Sequence, residues 1–273
     1  MEIKNSNTSL VHLKENELSI QFNLDGFSFC ITNQNEQNTL YFCKYSFENS
    51  VKTPEKLLLK IQEIFSTDSH LQKDFSKVTV IHSNNLSTLV PGIYFKEDQL
   101  ASYLKFNIKV LATDFIAFDA IAAQQIKNVY VPYVNINNYL FNNFGEFDYK
   151  HHTTVLIEKY TLQNTGEETT MYVNVDKSTL DITILKAKKV VLINSFTYHT
   201  KEDFMYYILF VAEQLNLDTA KFKLYFTGEI DKETSLYKIA YLYIKNMYLL
   251  ESNNSIFKVL DLPKHTNYTL LGS

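Results

Sequence analysis

Two stretches of the chain align in register, and this repeat limits the possible folds more than any other feature. Leu18–Phe47 (LSIQFNLDGFSFCITNQNEQNTLYFCKYSF) stands beside Thr170–Tyr198 (TMYVNVDKSTLDITILKAKKVVLINSFTY), with the matched positions at one constant offset. Asn23-Leu24-Asp25 falls on Asn174-Val175-Asp176, while Leu40, Phe42, Tyr45 and Phe47 fall on Val191, Ile193, Phe196 and Tyr198. Apolar residues alternate as in half-buried strands, so each half reads strand, turn, strand, short loop, strand. The Asn-x-Asp turn sits at the same place in both copies, which a chance pairing of two hairpins would not give.

A helix follows in both halves. Thr53-Pro54-Glu55 offers an N-cap, a proline at the first helical position and an early acid, ahead of Leu57, Leu58, Ile61, Ile64 and Phe65 at helical spacing. Thr200-Lys201-Glu202-Asp203 opens a second helix over Phe204–Leu215, and strands are expected at Lys77–His82 and Phe222–Thr227. Phe204–Phe210 is aromatic almost all round, as in a helix packed between layers. Residues 84–150 have no counterpart in the second half. Within them a helix is expected near Glu97–Phe106, an extended run at Val129–Val134 and a helix at Asn135–Phe144. Tyr149–Tyr160 reads as a strand leading into the second half. Towards the end, Asp231–Leu242 reads as a helix and Tyr243–Leu250 as a strand. The expected organisation is a first lobe over 1–164, with an inserted subdomain at about 84–150, and a second lobe over 165–273.

A repeated β-hairpin, strand, helix, strand unit is the plan of the ribonuclease-H-like fold, doubled in the actin, Hsp70 and sugar-kinase superfamily. The chain resembles that superfamily, and almost its whole length resembles a family of uncharacterised bacterial proteins with an actin-like ATPase fold. The resemblance includes Thr88-Leu89-Val90-Pro91, Val129-Tyr130-Val131-Pro132 and Pro263-Lys264-His265. It implies an α/β protein with two ribonuclease-H-like lobes in an actin-like arrangement around an interlobe cleft. It brings no established activity.

In active members each half carries an Asp-x-Gly turn, whose acids act through a divalent metal and whose glycines bring N–H groups onto phosphates. Laid on the second half, the pattern Asp-x-Gly-Gly-Gly-Thr-x-Asp covers Asn174 to Asp181. Thr179 and Asp181 match. The leading acid is Asn174, and Asp176, Lys177 and Ser178 occupy the glycine positions. In the first half Asn23 and Asp25 depart in the same way, with Gly26 displaced. An amide oxygen binds a divalent cation far more weakly than a carboxylate does. Asp25 and Asp176 would set anion against phosphate. Gly228, ending a second-half strand, stands where the superfamily places an adenosine-contacting glycine pair, and reads otherwise as an ordinary turn glycine. The degenerate nucleotide-site positions are therefore Asn23, Asp25, Asn174, Asp176, Ser178, Thr179, Asp181 and Gly228.

Composition agrees. Six glycines occur in 273 residues, against roughly 19 at the usual frequency of about 7%, so phosphate loops are poorly supplied. A net charge of −4 without a Lys/Arg-rich run gives no nucleic-acid footprint. No apolar run reaches the length of a membrane span, and the N-terminus lacks the pattern of a secretion signal. Cys30 and Cys43 lie in strand-like segments and read as reduced core thiols, with a disulfide as the alternative. No zinc or nucleophile-elbow pattern occurs, and His151-His152 on a strand would face opposite ways. Asp25 and Asp176 serve either as turn formers or as an acid/base pair, the former being the expectation.

The expected function is a non-catalytic, cytoplasmic interaction or scaffold protein of actin-like fold, with a protein partner, no cofactor and no catalytic or metal-binding residues. The alternatives are an atypical ATPase or small-molecule kinase, and a small-ligand binder using the interlobe cleft.

Overall fold

The computed structural model describes residues 16–33, 39–106, 108–111 and 113–272. By contact these form two compact units. The first comprises the described residues up to Thr154 with Asn254–Asp261, and the second comprises Val155–Asn253 with the described residues from Leu262 onward.

In the first unit, β1 (Asn16–Asn23), β2 (Gly26–Asn33) and β3 (Thr39–Ser46) form an antiparallel meander, followed by α1 (Pro54–Thr67) and β4 (Lys77–His82). The Thr53 hydroxyl accepts the Lys56 amide at 3.4 Å and Pro54 begins α1, as the sequence indicates. Three further strands, β5 (Ser87–Pro91), β6 (Ala117–Ile121) and β7 (Ile126–Tyr130), build a separate small sheet. The helix α2 (Leu100–Leu104) falls between β5 and β6 in the chain. Leu104, Val90, Val129 and Val131 give this insertion its own core. The chain then returns through α3 (Val134–Phe144) and β8 (Asp148–His151), which pairs parallel to β4. The first sheet runs β3-β2-β1-β4-β8. Its core joins Leu18, Ile20, Phe22 and Phe29 to Leu57 and Ile61 of α1 and to Ile136 and Leu140 of α3.

The second unit repeats that order. After α4 (His152–Gln163) come β9 (Thr169–Val175), β10 (Thr179–Lys186), β11 (Lys189–Thr197), α5 (Lys201–Gln214), β12 (Lys223–Gly228), α6 (Ser235–Tyr243) and β13 (Asn246–Leu249). Two single-turn helices end the chain, α7 (Ile256–Val259) and α8 (Tyr268–Leu271). The second sheet runs β11-β10-β9-β12-β13, the connectivity of the first. A Thr200/Asp203 capping box starts α5. Met171, Val173, Leu180, Ile182, Phe204, Ile208 and Ala240 form its core.

Four expectations change. First, α3 and β8 occupy the chain positions of α6 and β13, so part of the stretch 84–150 has a counterpart after all. The extra material is the small three-stranded sheet and its flanks. Second, Tyr149–Tyr160 is not one strand. It divides into β8 and α4 at His151/His152; residues 151–157 are buried without a break, a pattern that a buried helix and a buried strand share. His151 and His152 therefore do not point to opposite faces; their ring centroids lie 4.5 Å apart. Third, α5 is not covered all round: Tyr206 is 60% exposed and Phe210 40%. Fourth, the expected boundary near Asn164 falls after α4, whereas the compact units divide near its start, and α7 groups with the first unit. Cys30 and Cys43 are buried free thiols.

Candidate functional site

In the first unit, Asn23 and Gly26 are opposite partners at the end of the β1–β2 hairpin. Asn23 Oδ1 accepts the Asp25 amide at 2.8 Å, an Asx turn that fixes Leu24 between them. The Ser50 hydroxyl donates to Asp25 Oδ1. The Leu24 and Asp25 carbonyls accept the Val51 and Phe47 amides at 2.8 Å each. Gly26 has a different task from a phosphate glycine. A Cβ there would meet Tyr45 O at 2.6 Å, so its bareness lets β2 and β3 close.

The second unit builds a longer polar chain. Asn174 on β9 and Asp181 on β10 are register partners. Asn174 Nδ2 donates to Asp181 Oδ2 at 3.2 Å, and the Ser195 hydroxyl of β11 donates to Asp181 Oδ1 at 2.5 Å. On the other side, Thr227 Oγ1 donates to Asn174 Oδ1 at 3.1 Å and pairs with the Tyr160 hydroxyl at 2.7 Å. Five side chains from four strands and α4 thus form one chain: Ser195, Asp181, Asn174, Thr227, Tyr160. Burial pushes the Tyr160 phenol far above its usual range, so it stays a neutral hydroxyl.

The β9–β10 turn is tied down in its own right. The Asp176 amide donates to Thr179 O at 2.8 Å, and the Lys177 amide to Asp176 Oδ1 at 2.8 Å. Tyr198 clasps the turn twice, its amide donating to Ser178 O at 3.0 Å and its hydroxyl to Asp176 O at 2.7 Å. Gly228 comes against the same hairpin. Its amide donates to His265 O at 2.8 Å, and the Glu229 amide to Val175 O at 2.7 Å. Nε2 of buried His265 donates to Ile230 O, and burial lowers the His265 imidazole from its ordinary range.

Asn174, Thr179, Asp181 and Gly228 therefore lie around one hairpin end of the second unit, with Asp176 and Ser178 in its turn. Asn23 and Asp25 form the corresponding hairpin end of the first. Thr227, Ser195, Tyr160, Tyr198 and His265 complete the second site without having been singled out for it. The hydroxyl residues were hidden because each looks like an ordinary strand or helix residue. Only the register across β11, β10, β9 and β12 brings them together. His265 stood in a quoted motif without a role. Among the described residues, no three His, Cys, Asp or Glu side chains cluster as metal ligands would.

The family model described as "Protein of unknown function (DUF3822)" matches residues 5–247. The chain belongs to that family. A solved Bacteroides thetaiotaomicron protein, of actin-like ATPase fold and unknown function, is 23% identical. Its alignment covers 92% of this chain and 98% of that one, with a TM-score of 0.79. A chain of a PilM–PilN type IV pilus biogenesis complex is 12% identical, covering 93% and 96%, with a TM-score of 0.57. No curated protein matches the sequence significantly. At these identities the likeness gives the fold: this DUF3822 protein has the actin-like ATPase fold. No helix among its described residues is long and apolar enough to cross a membrane.

Proposed function

We propose that this DUF3822 protein is a non-catalytic member of the actin-like fold, a pseudo-ATPase that works as an interaction or scaffold protein. The observation that carries this reading is the Asn174–Asp181 pair. The one acid retained from the nucleotide-site pattern has a hydrogen-bond donor on each oxygen, Ser195 on one and the Asn174 amide on the other. A magnesium ion would have to displace both and would gain only a neutral oxygen from Asn174. The turn above it spends the Asp176 and Lys177 amides internally rather than on a phosphate. The space an adenosine-side glycine would leave beside Gly228 is filled by the Val175 backbone. A Mg-nucleotide does not fit these residues, and no chemical step through one is derived.

The partner is proposed to be a protein, met in the cytoplasm, with no nucleic acid and no cofactor. A neighbour of the same fold was solved in a pilus-biogenesis complex, which supports such a use of the fold. The shared strand order of the two sheets supports internal duplication. A second reading, binding of a small ligand, has one observation in its favour. A cavity of about 650 Å³ in the first unit, lined by Tyr45, Phe47, Glu48, Lys60, Glu63 and Ile64, has the size of a ligand site.

Thermal unfolding with and without 1 mM Mg-ATP or Mg-ADP tests the reading. No shift is expected. A site of 10 µM affinity would add roughly 2.7 kcal/mol at about 100-fold saturation. A shift of that size, abolished by Asp181→Asn, would replace the scaffold with an atypical ATPase or kinase.

A further inference from the structure

We propose that a stack of five tyrosines in the second unit makes Tyr248 a site of one-electron oxidation. The co-reactant is a one-electron oxidant in solution, and the product is a tyrosyl radical that goes on to dityrosine. This goes beyond the loss of nucleotide chemistry and does not depend on it.

The first observation is the stack itself. Tyr172 on β9, Tyr225 on β12 and Tyr248 on β13 are register partners in adjacent strands, so their rings share one face of the second sheet. The Tyr225 ring centroid lies 5.6 Å from that of Tyr172 and 5.2 Å from that of Tyr248. Tyr160 of α4 continues the run at 4.4 Å from Tyr172, and Tyr268 of α8 closes it at 5.7 Å from Tyr160. All four pairs lie within 28° of parallel, at the spacing of rings in contact. Such rings share a positive charge, so an electron leaves the stack more easily than it leaves an isolated phenol.

The second observation is that every member is tyrosine. Phenylalanine would fill the same space, and the chain holds 20 of them. Tyr160, Tyr172 and Tyr268 are instead buried with their hydroxyls, and the Tyr268 hydroxyl has no hydrogen-bond partner among the described residues. Packing alone gains nothing from that cost. What tyrosine adds is a ring that a one-electron oxidant can oxidise.

Proton release selects the end of the stack. A tyrosyl radical persists at neutral pH only after its phenolic proton has left. The Asp181 carboxylate accepts the Asn174 amide, so Asn174 Oδ1 takes the Thr227 hydroxyl proton and Tyr160 is the donor to Thr227. Thr227 is no base, and burial holds the Tyr160 and Tyr172 phenols well above their usual range. Tyr268 has no acceptor, and Lys159 Nζ, 6.0 Å from its ring centroid, opposes positive charge there. Tyr248 is 44% exposed, and water takes its proton. The oxidant thus gains one electron, the solvent one proton, and the radical settles on Tyr248. Radicals on two copies join through the ring carbons beside their oxygens. Each coupled ring then returns its displaced hydrogen to oxygen, giving dityrosine for two electrons and two protons lost.

Photo-oxidation of the full chain with ruthenium trisbipyridyl and persulfate, mapped by peptide mass spectrometry, tests this. Tyr94, Tyr241 and Tyr243 are 68%, 68% and 53% exposed, so exposure alone would place Tyr248 behind all three. Tyr248 is expected to carry several-fold more oxidation and dityrosine than any of them. Tyr225→Phe, which keeps the ring and its packing, should bring Tyr248 below them. Tyr248→Phe should remove more dityrosine fluorescence than Tyr241→Phe does. Oxidation in the order of exposure would overturn the proposal. So would a Tyr248 yield unchanged by Tyr225→Phe, or equal fluorescence loss in the two surface variants.

Discussion

A Cβ placed on Gly228 would lie 2.1 Å from the carbonyl oxygen of Val175 and 2.9 Å from its amide nitrogen. Gly228 also holds φ at +87°, where L side chains are strained. Strand β12 therefore ends by pressing bare backbone onto β9, one residue before the β9–β10 turn.

Gly228→Ala should accordingly destabilise the protein by about 2–4 kcal/mol, since backbone on both sides must give way and the φ is wrong for alanine. Urea unfolding at neutral pH measures it. A loss under 1 kcal/mol would mean that the two strand ends separate easily. Gly228 would then not be the clamp described here.

Much of this clamp could be read from the sequence, and part could not. The repeated Asn-x-Asp register located both hairpins because strand alternation and turn chemistry are local. The Thr53-Pro54 and Thr200/Asp203 caps located two helices for the same reason. His151-His152-Thr153-Thr154 misled, because β-branched residues favour a strand locally and the unbroken burial of 151–157 fits a strand and a helix alike. The Tyr160–Thr227 bond and the Thr227–Asn174 bond join residues far apart in sequence. No local pattern encodes such partners; sheet order does.

Restoring the missing acid should not restore a site. Asn174→Asp places a carboxylate opposite Asp181 and removes the amide that donates to it. Two carboxylates this close repel, and the expected cost is about 1–3 kcal/mol at pH 7. Like-charge repulsion favours protonation of one of them, so the cost is present at neutral pH and fades as pH falls. Unfolding of the variant and wild type from pH 7.5 to 4.5, with and without 10 mM magnesium, checks both points. Rescue of the variant by magnesium would show a metal site held back by one atom, against the reading proposed above.

The buried histidines make the first unit sensitive to acid. His82 is fully enclosed and pushed down to about 4 by burial, against its Asn137 hydrogen bond. His151 is lowered well below its ordinary range by burial and by neighbouring His152 and His82. Both stay neutral when folded and take up protons when unfolded. Their contribution is complete above about pH 6.5 and is lost as pH falls towards 4. For His82 alone that is roughly 3 kcal/mol over the window. Burial raises the Asp119 carboxyl, which works in the opposite sense and softens the slope. Urea midpoints between pH 7.5 and 4.5 should fall, and His82→Gln, though weaker at pH 7.5, should show a flatter profile. An equal slope in the variant would place the acid sensitivity elsewhere.

The two cysteines offer a clock for global opening. Cys43 is wholly enclosed in the first core, and burial pushes its thiol up to about 11. Cys30, on β2, is also buried. Only a thiolate reacts readily with a disulfide reagent, so at pH 8 two things slow the attack: the small ionised fraction and the lack of access. Ellman's reagent should find neither thiol on the timescale of minutes in the native protein and both in urea. Under native conditions the slow rate should track unfolding of the first unit, becoming faster in any variant that weakens its core, such as Phe29→Ala. Gly228→Ala alters the second unit, so thiol rates measured on it report how far loss of one unit opens the other. Rapid modification of native protein would mean that the β2–β3 region opens locally at small cost. That result would contradict the closed packing of Phe29, Cys43 and Tyr41 seen in its core.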